Sequence, residues 1–68
     1  MFLVEKKVSH NGQRRAEIYM RPDGLFEGRI YRDDPGVKAQ RLEAEFEVCG
    51  VTETLPRVET IVNEELGL

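Results

Sequence analysis

The amino-acid sequence predicts a small α+β domain, a four-stranded antiparallel β-meander with one C-terminal helix packed on its apolar face. Three observations lead to this fold class. Turn signals separate stretches in which apolar and polar residues alternate, a further alternating stretch follows a Pro-Gly break, and apolar residues near the C-terminus recur at helical spacing. The predicted strands are about 2–8, 14–21, 25–32 and 40–48, and the predicted helix is about 56–66. The 68 residues are expected to form a single domain, 1–68.

The hairpin across residues 15–31 is the clearest local signal. At its tip, Pro22 presets the first turn angle and Gly24 can take a positive φ at no steric cost. A three-residue loop of this kind places Glu17 opposite Arg29. One face of the hairpin is then apolar, and the other combines charged and aromatic side chains.

The turn after the first strand contains the Asn-Gly pair at residues 11–12, which is typical of hairpins. A two-residue turn there would place Val8 opposite Arg15. If Val8 belongs to the apolar face, however, its partner must be Ala16. We therefore expect a bulge near residues 13–15, or a longer loop.

Residues 40–48 allow two interpretations. Every second residue from Leu42 to Val48 is apolar, which predicts a fourth strand with these residues in the core. The Ala, Gln, Leu and Glu content favours a helix instead, which would give three strands followed by two helices. We favour the strand because the alternation is regular. The sequence Asp-Asp-Pro-Gly at 33–36 predicts a turn before it.

The C-terminal helix begins beside Pro56, because proline is favoured at the first helical position, and Gly67 provides a natural end. Its apolar positions are expected to pack on the inner face of the sheet. The expected core consists of Phe2, Val4, Val8, Ala16, Ile18, Met20, Phe26, Ile30, Leu42, Phe46, Val48, Val58, Ile61, Val62 and Leu66.

Composition limits the chemistry that this chain can perform. It contains one cysteine and one histidine, which excludes an intramolecular disulfide and the usual zinc ligand sets. Cys49 fits a small, partly buried hydrophobic position, and His10 fits an exposed turn. We therefore predict that the chain is not an enzyme, with no catalytic residues, no metal and no cofactor.

The expected location of the protein is the cytoplasm. The N-terminal apolar run is followed at once by charged residues, so it is too short for a signal peptide. No stretch approaches the length of a membrane span, and a lone thiol is typical of a reducing compartment. No membrane association is expected.

The candidate functional surface is the charged and aromatic face of the central hairpin. Its candidate interaction residues are Arg15, Tyr19, Arg21, Arg29 and Tyr31. Tyrosine and arginine are enriched at protein interfaces, and this predicts a non-enzymatic protein–protein interaction or accessory module, self-associating as a homodimer through a sheet face or edge. Tyrosine and arginine also suit nucleic acid, which is the alternative. The acidic isoelectric point of about 5.1 and the mixed charges of the face argue against it.

Overall fold

A computed structural model describes residues 1–32 and 46–68 of the chain. The elements are β1 (Phe2–Val8), β2 (Arg14–Met20), β3 (Phe26–Arg32), β4 (Phe46–Thr52) and α1 (Leu55–Leu66). The strands form one antiparallel sheet in the order β1-β2-β3-β4, and α1 packs against β2, β3 and β4. The predicted α+β meander is confirmed. The turn predicted at 33–36 and the part of the predicted fourth strand at 40–45 lie outside the described residues.

The central hairpin has the predicted register. Glu17 lies opposite Arg29, and the same pairing continues along the whole of β2 and β3. The Arg21 N–H donates to the Leu25 carbonyl oxygen at 2.8 Å, which closes the loop. Gly24 has a φ of 85°, a conformation that strains residues with a Cβ. The turn residues therefore determine the register at this end of the sheet.

Residues 9–13 connect β1 to β2, and the Ser9 N–H donates to the Arg14 carbonyl oxygen at 2.9 Å. The connection is longer than a two-residue turn, but it does not shift the register as expected, and the expected placement of Val8 on the apolar face is wrong. Val8 pairs with Arg15 and lies on the face away from α1. This pairing is the one that a two-residue Asn-Gly turn would give. Hydrogen bonds from and to the Ser9 and Asn11 side chains within the loop stabilise it.

The irregularity expected near residues 13–15 occurs instead at the other end of β1. The register shifts between Leu3 and Glu5, so the bulge is at Val4. After this shift Glu5 lies opposite Ile18, and Lys7 two residues later lies on the same face. The side of β1 nearest α1 is therefore polar, although the sequence predicts apolar residues there.

β4 ends later than predicted, and its faces are reversed. It is a strand, so the helical alternative is wrong for residues 46–48, and it continues to Thr52. Gly28 pairs with Gly50 but Arg29 pairs with Val48, so Cys49 is an extra residue in a bulge. Val48 consequently shares the outward face with Arg29. Alternation along a strand defines two faces but does not say which of them meets the helix.

Among the residues that the structure describes, fewer are buried in the core than the sequence predicts, because the twelve residues of α1 cover only part of the sheet. Its buried residues are Ala16, Ile18, Ile30, Val58, Val62 and Leu66. The core assignment is wrong for six residues that are each at least 40% exposed, namely Phe2, Val4, Val8, Met20, Phe46 and Val48. Nothing in the described ranges, 1–32 and 46–68, is a helix long and apolar enough to cross a membrane.

The helix lies close to the sheet because a glycine faces it on β3. A Cβ built on Gly28 would lie 2.9 Å from Cys49 Sγ, 2.9 Å from Val62 Cγ2 and 3.1 Å from Val58 Cγ2. These distances are shorter than ordinary van der Waals contact, and both valines are fully buried. Gly50, directly opposite on β4, faces the end of the Ile61 side chain instead.

Replacing Gly28 by alanine should lower the free energy of unfolding by about 1–3 kcal/mol, because rigid buried side chains must move to admit the methyl group. Gly50→Ala is the matched control. It should cost less, since the nearest atom, Ile61 Cδ1 at 3.0 Å, ends a flexible chain. Urea unfolding of the two variants measures the difference. Equal stability of Gly28→Ala and the unsubstituted chain would show that the close approach is unimportant.

A polar seam joins β1 to α1. Lys7 Nζ donates to Asn63 Oδ1 at 2.8 Å and lies 3.6 Å from Glu5 Oε1. Glu5 and Glu59 lie within hydrogen-bonding reach, and this contact, with partial burial and the Glu5 charge, raises the pKa of Glu59 above its ordinary value of 4.5. Two carboxylates therefore meet at this seam with one nearby lysine.

Glu59→Gln should make folding less dependent on pH. Because the pKa of Glu59 is higher in the folded state, the folded protein binds more protons just above pH 4.5, and its stability falls as the pH rises through that range. The amide removes this loss, so the melting temperature at pH 7 should rise toward its value near pH 4.5. Glu64→Gln, which changes the same charge elsewhere on α1, should keep the original pH dependence. Thermal unfolding across pH 4–8 tests both, and an unchanged profile for Glu59→Gln would contradict the assignment.

Candidate functional site

The outer face is the sheet surface that points away from α1. Its centre, from β2 and β3, consists of Arg15, Glu17, Tyr19, Glu27, Arg29 and Tyr31. Its flanks, from β1 and β4, consist of Leu3, Lys6, Val8, Phe46, Val48 and Val51. The antiparallel register places these residues in rows across the sheet, so charged centre and apolar flanks form one continuous surface.

One half of the centre is organised around Glu27. This carboxylate is 7% exposed, and it accepts a 2.6 Å hydrogen bond from Arg29 Nε. Arg21 Nη1 lies 3.6 Å from its other oxygen. Burial opposes the charge on the Arg29 guanidinium, but hydrogen bonds to Glu27 and Tyr31, together with the charges of both groups, outweigh burial and raise the pKa of Arg29. The Arg29 guanidinium therefore stays charged, and its charge is satisfied within the chain.

The other half is organised around Glu17. The Tyr19 hydroxyl donates to Glu17 Oε1 at 2.9 Å, while Lys6 Nζ and Arg15 Nη1 lie 3.9 Å and 3.8 Å from Oε2. The hydrogen bond to Glu17, burial and the carboxylate charge together raise the pKa of Tyr19. Tyr19 is therefore a neutral hydrogen-bond donor at physiological pH. The arrangement links β1 to β2 through one carboxylate.

Aromatic rings cover the arginines. The Arg29 guanidinium carbon lies 4.4 Å from the ring centroids of both Tyr19 and Phe46, and that of Arg15 lies 4.3 Å from the Tyr31 centroid. The Tyr31 and Phe46 rings are 5.5 Å apart and tilted by 46°. Such contacts stabilise a cation and restrict its motion. Arg29 is thus held between two rings and a carboxylate.

Four of the five residues predicted from the sequence lie on this face, and Arg21, which directly follows β2, reaches Glu27 on it. Four of the five are half-buried: Arg15, Tyr19, Arg21 and Arg29. Tyr31 is the exception, because it is buried and only 7% accessible. Arg15 and Phe46 pack on its ring. Tyr31 therefore supports the network and offers little surface to a partner.

Sequence reasoning missed the apolar flanks of the outer face. These exposed residues are Leu3, Val8, Phe46, Val48 and Val51. The spacing of the Asn-Gly turn already indicates that Val8 pairs with Arg15, and this was the one available signal. For β4 no such signal exists, since its outward face depends on the bulge at Cys49.

His10 and Cys49 lie at different edges of the sheet. His10 is exposed in the β1–β2 loop, and Cys49 is half-buried on β4. Cys49 Sγ donates to the Gly28 carbonyl oxygen at 3.4 Å, and burial raises the pKa of this thiol. Among residues 1–32 and 46–68, no three His, Cys, Asp or Glu side chains are grouped so as to hold a metal ion. A protonated, partly buried thiol is a poor nucleophile.

Comparison with protein-family models, with curated proteins and with solved structures finds no match for this chain. The functional argument therefore starts from the outer face itself.

Glu27→Gln should lower the free energy of unfolding by about 1–2 kcal/mol, because Arg21 and Arg29 lose their shared carboxylate in a partly buried setting. Glu53→Gln is the control, since this exposed residue precedes α1 and its change should stay within about 0.5 kcal/mol. Chemical unfolding measures both variants. If Glu27→Gln is as mild as Glu53→Gln, the Glu27 network does not stabilise the sheet.

Proposed function

We propose that this chain is a small non-enzymatic protein-interaction module that binds a protein partner through the outer face. The observation that carries the proposal is the group of exposed apolar side chains on the flanks of that face, Leu3, Val8, Phe46, Val48 and Val51. They surround aromatic and arginine side chains, the residue types that dominate protein–protein contacts. Exposed apolar residues gathered on one face are unusual in a monomer and mark binding surfaces.

The two sheet edges are less suitable as partner sites. In the described part of the chain these edges are β1 and β4, and each contains a bulge. A bulge interrupts the ladder of N–H and C=O groups that an added strand would need. β1 also carries Lys6 and Lys7, and edge lysines discourage strand addition. The proposal therefore assigns binding to the face.

A protein partner fits the face better than nucleic acid does. Phosphate recognition needs arginine or lysine groups that are available to the backbone. Arg15, Arg21 and Arg29 are already engaged by Glu17 and Glu27. The net charge of −3 also disfavours approach to a polyanion. Paired charges and exposed apolar flanks suit a polypeptide surface, where both can be matched.

The proposal includes no catalytic role and places the protein in the cytoplasm. The raised pKa of Cys49 and its distance in the sheet from His10 leave no activated nucleophile–base pair to support catalysis. A single half-buried cysteine fits a reducing compartment.

Val48→Lys should abolish capture of the partner from a lysate of the source cells, because it places a charge among the apolar flanks. Met20→Lys is the matched control: Met20 is similarly exposed, but it lies on the opposite face of the sheet. Quantitative mass spectrometry of material captured by the tagged chain compares the three proteins. Proteins retained by the unsubstituted chain and Met20→Lys, but lost with Val48→Lys, support the proposal. Retention by all three would contradict it.

A second arm of this test addresses nucleic acid. Short duplex and single-stranded DNA are titrated into isotope-labelled protein at low salt, and the backbone amide signals are followed by NMR. The expected result is no shift at Arg15, Arg21 and Arg29, because their charges are already paired. Saturable shifts at these positions would replace the protein partner with nucleic acid.

A further inference from the structure

We propose that the partner of the outer face is a second copy of the chain, related by a twofold axis that runs parallel to the strands between two stacked sheets. This inference rests on the proposed function, and it adds the identity and the orientation of the partner. Self-association through one surface requires that surface to be complementary to itself. The register of the sheet allows that requirement to be examined row by row.

An axis parallel to the strands keeps each residue at its height along the sheet and exchanges the left and right halves. β1 of one copy therefore lies over β4 of the other, and β2 lies over β3. Residues that are level with each other within one sheet then meet across the interface. The rows of the antiparallel register consequently predict the contacts between copies.

The central rows are complementary in charge under this operation. Glu17 and Arg29 are level in one sheet, so Glu17 of one copy lies over Arg29 of the second copy. The reverse contact occurs as well, because the axis produces every contact twice. Arg15 of one copy likewise lies over the position of Tyr31 in the other, with no like charge opposite it. By contrast, stacking β2 on itself about an axis across the strands at this row would place Glu17 over Glu17 and Arg29 over Arg29.

Two of the three flanking rows match apolar residues with apolar residues. In the third row Lys6, whose side chain is 67% exposed, lies over Val48 of the other copy. Leu3 is level with Tyr19, Glu27 and Val51, so Leu3 of one copy meets Val51 of the other. In the row of Arg15 and Tyr31, Val8 of one copy meets Phe46 of the other by the same reasoning. All four of these apolar side chains are at least 40% exposed in the single chain. Aligned sheets are turned by about 30°, which moves the edge strands by about one residue and keeps these neighbours within reach.

The size of the face indicates how strong the association is. The sheet has four strands about 4.8 Å apart, and each strand has seven residues at about 3.3 Å per residue. The area of one outer face is therefore about 440 Å², and the two faces together bury about 900 Å². This is at the low end for specific interfaces, where association is weak and transient. We therefore expect a dimer that is populated at about tens to hundreds of micromolar, and a monomer below that range.

Sedimentation equilibrium of Leu3→Glu and Val51→Lys, alone and mixed, tests the arrangement. Each variant alone should weaken association at least about tenfold, because it places a charge against an apolar residue in both symmetric contacts. An equimolar mixture should regain affinity, since one contact becomes Glu–Lys and the other is the original Leu–Val. Met20→Glu, on the opposite face, should associate like the unsubstituted chain.

The outcomes separate this inference from the proposed function. A strict monomer at about 500 µM, or variants that weaken association without rescue on mixing, would overturn the dimer. If the dimer is overturned but Val48→Lys still abolishes capture of a protein from the lysate, the proposed interaction face remains supported. If a variant unfolds, as judged by circular dichroism, intermolecular NOEs between labelled and unlabelled unsubstituted chains decide instead. Contacts from Leu3 to Val51 and from Val8 to Phe46 support the arrangement, and contacts between like residues overturn it.

Discussion

The close seating of α1 on Gly28 is the constraint on which the rest of this structure depends. Two fully buried valines of the helix occupy the space that a side chain on β3 would take. The opposing Gly50 admits the end of Ile61, and the bulge at Cys49 directs a small side chain toward Gly28. The helix therefore packs over β2, β3 and β4, and within residues 1–32 and 46–68 the core is limited to what its twelve residues cover.

The composition of the outer face follows from that seating. The bulge that places Cys49 beneath the helix turns Phe46 and Val48 away from it. Phe46 then covers the Arg29 guanidinium from one side, while Tyr19 covers it from the other. Thus the packing on one side of the sheet supplies the aromatic contacts on the opposite side. A surface built this way has rigid, internally paired charges at its centre and exposed apolar groups at its margins.

Internally paired charges change what such a face can recognise. A guanidinium already bonded to a carboxylate contributes orientation and shape, because it has few free donors for phosphate. The same pairs alternate in sign across the sheet, which allows two copies of the face to meet without like charges in contact. The bulges in β1 and β4 disfavour the competing route of edge-to-edge strand addition. These features together favour a weak, face-to-face association.

The amino-acid sequence alone determined the type and order of the elements, the central hairpin with its register, and the helix ending at Gly67. These depend on local chemistry, namely turn residues with special φ values, alternation along strands and helix termini. The inward face of β4 and the outward position of Val8 were decided only by the tertiary structure. Because side chains alternate between the two faces of a strand, the sequence pattern does not say which face is buried. A bulge, a loop or a packed helix decides which face lies in the core. For this chain the helix seated on Gly28 made that selection, and the apolar flanks of the outer face are its consequence.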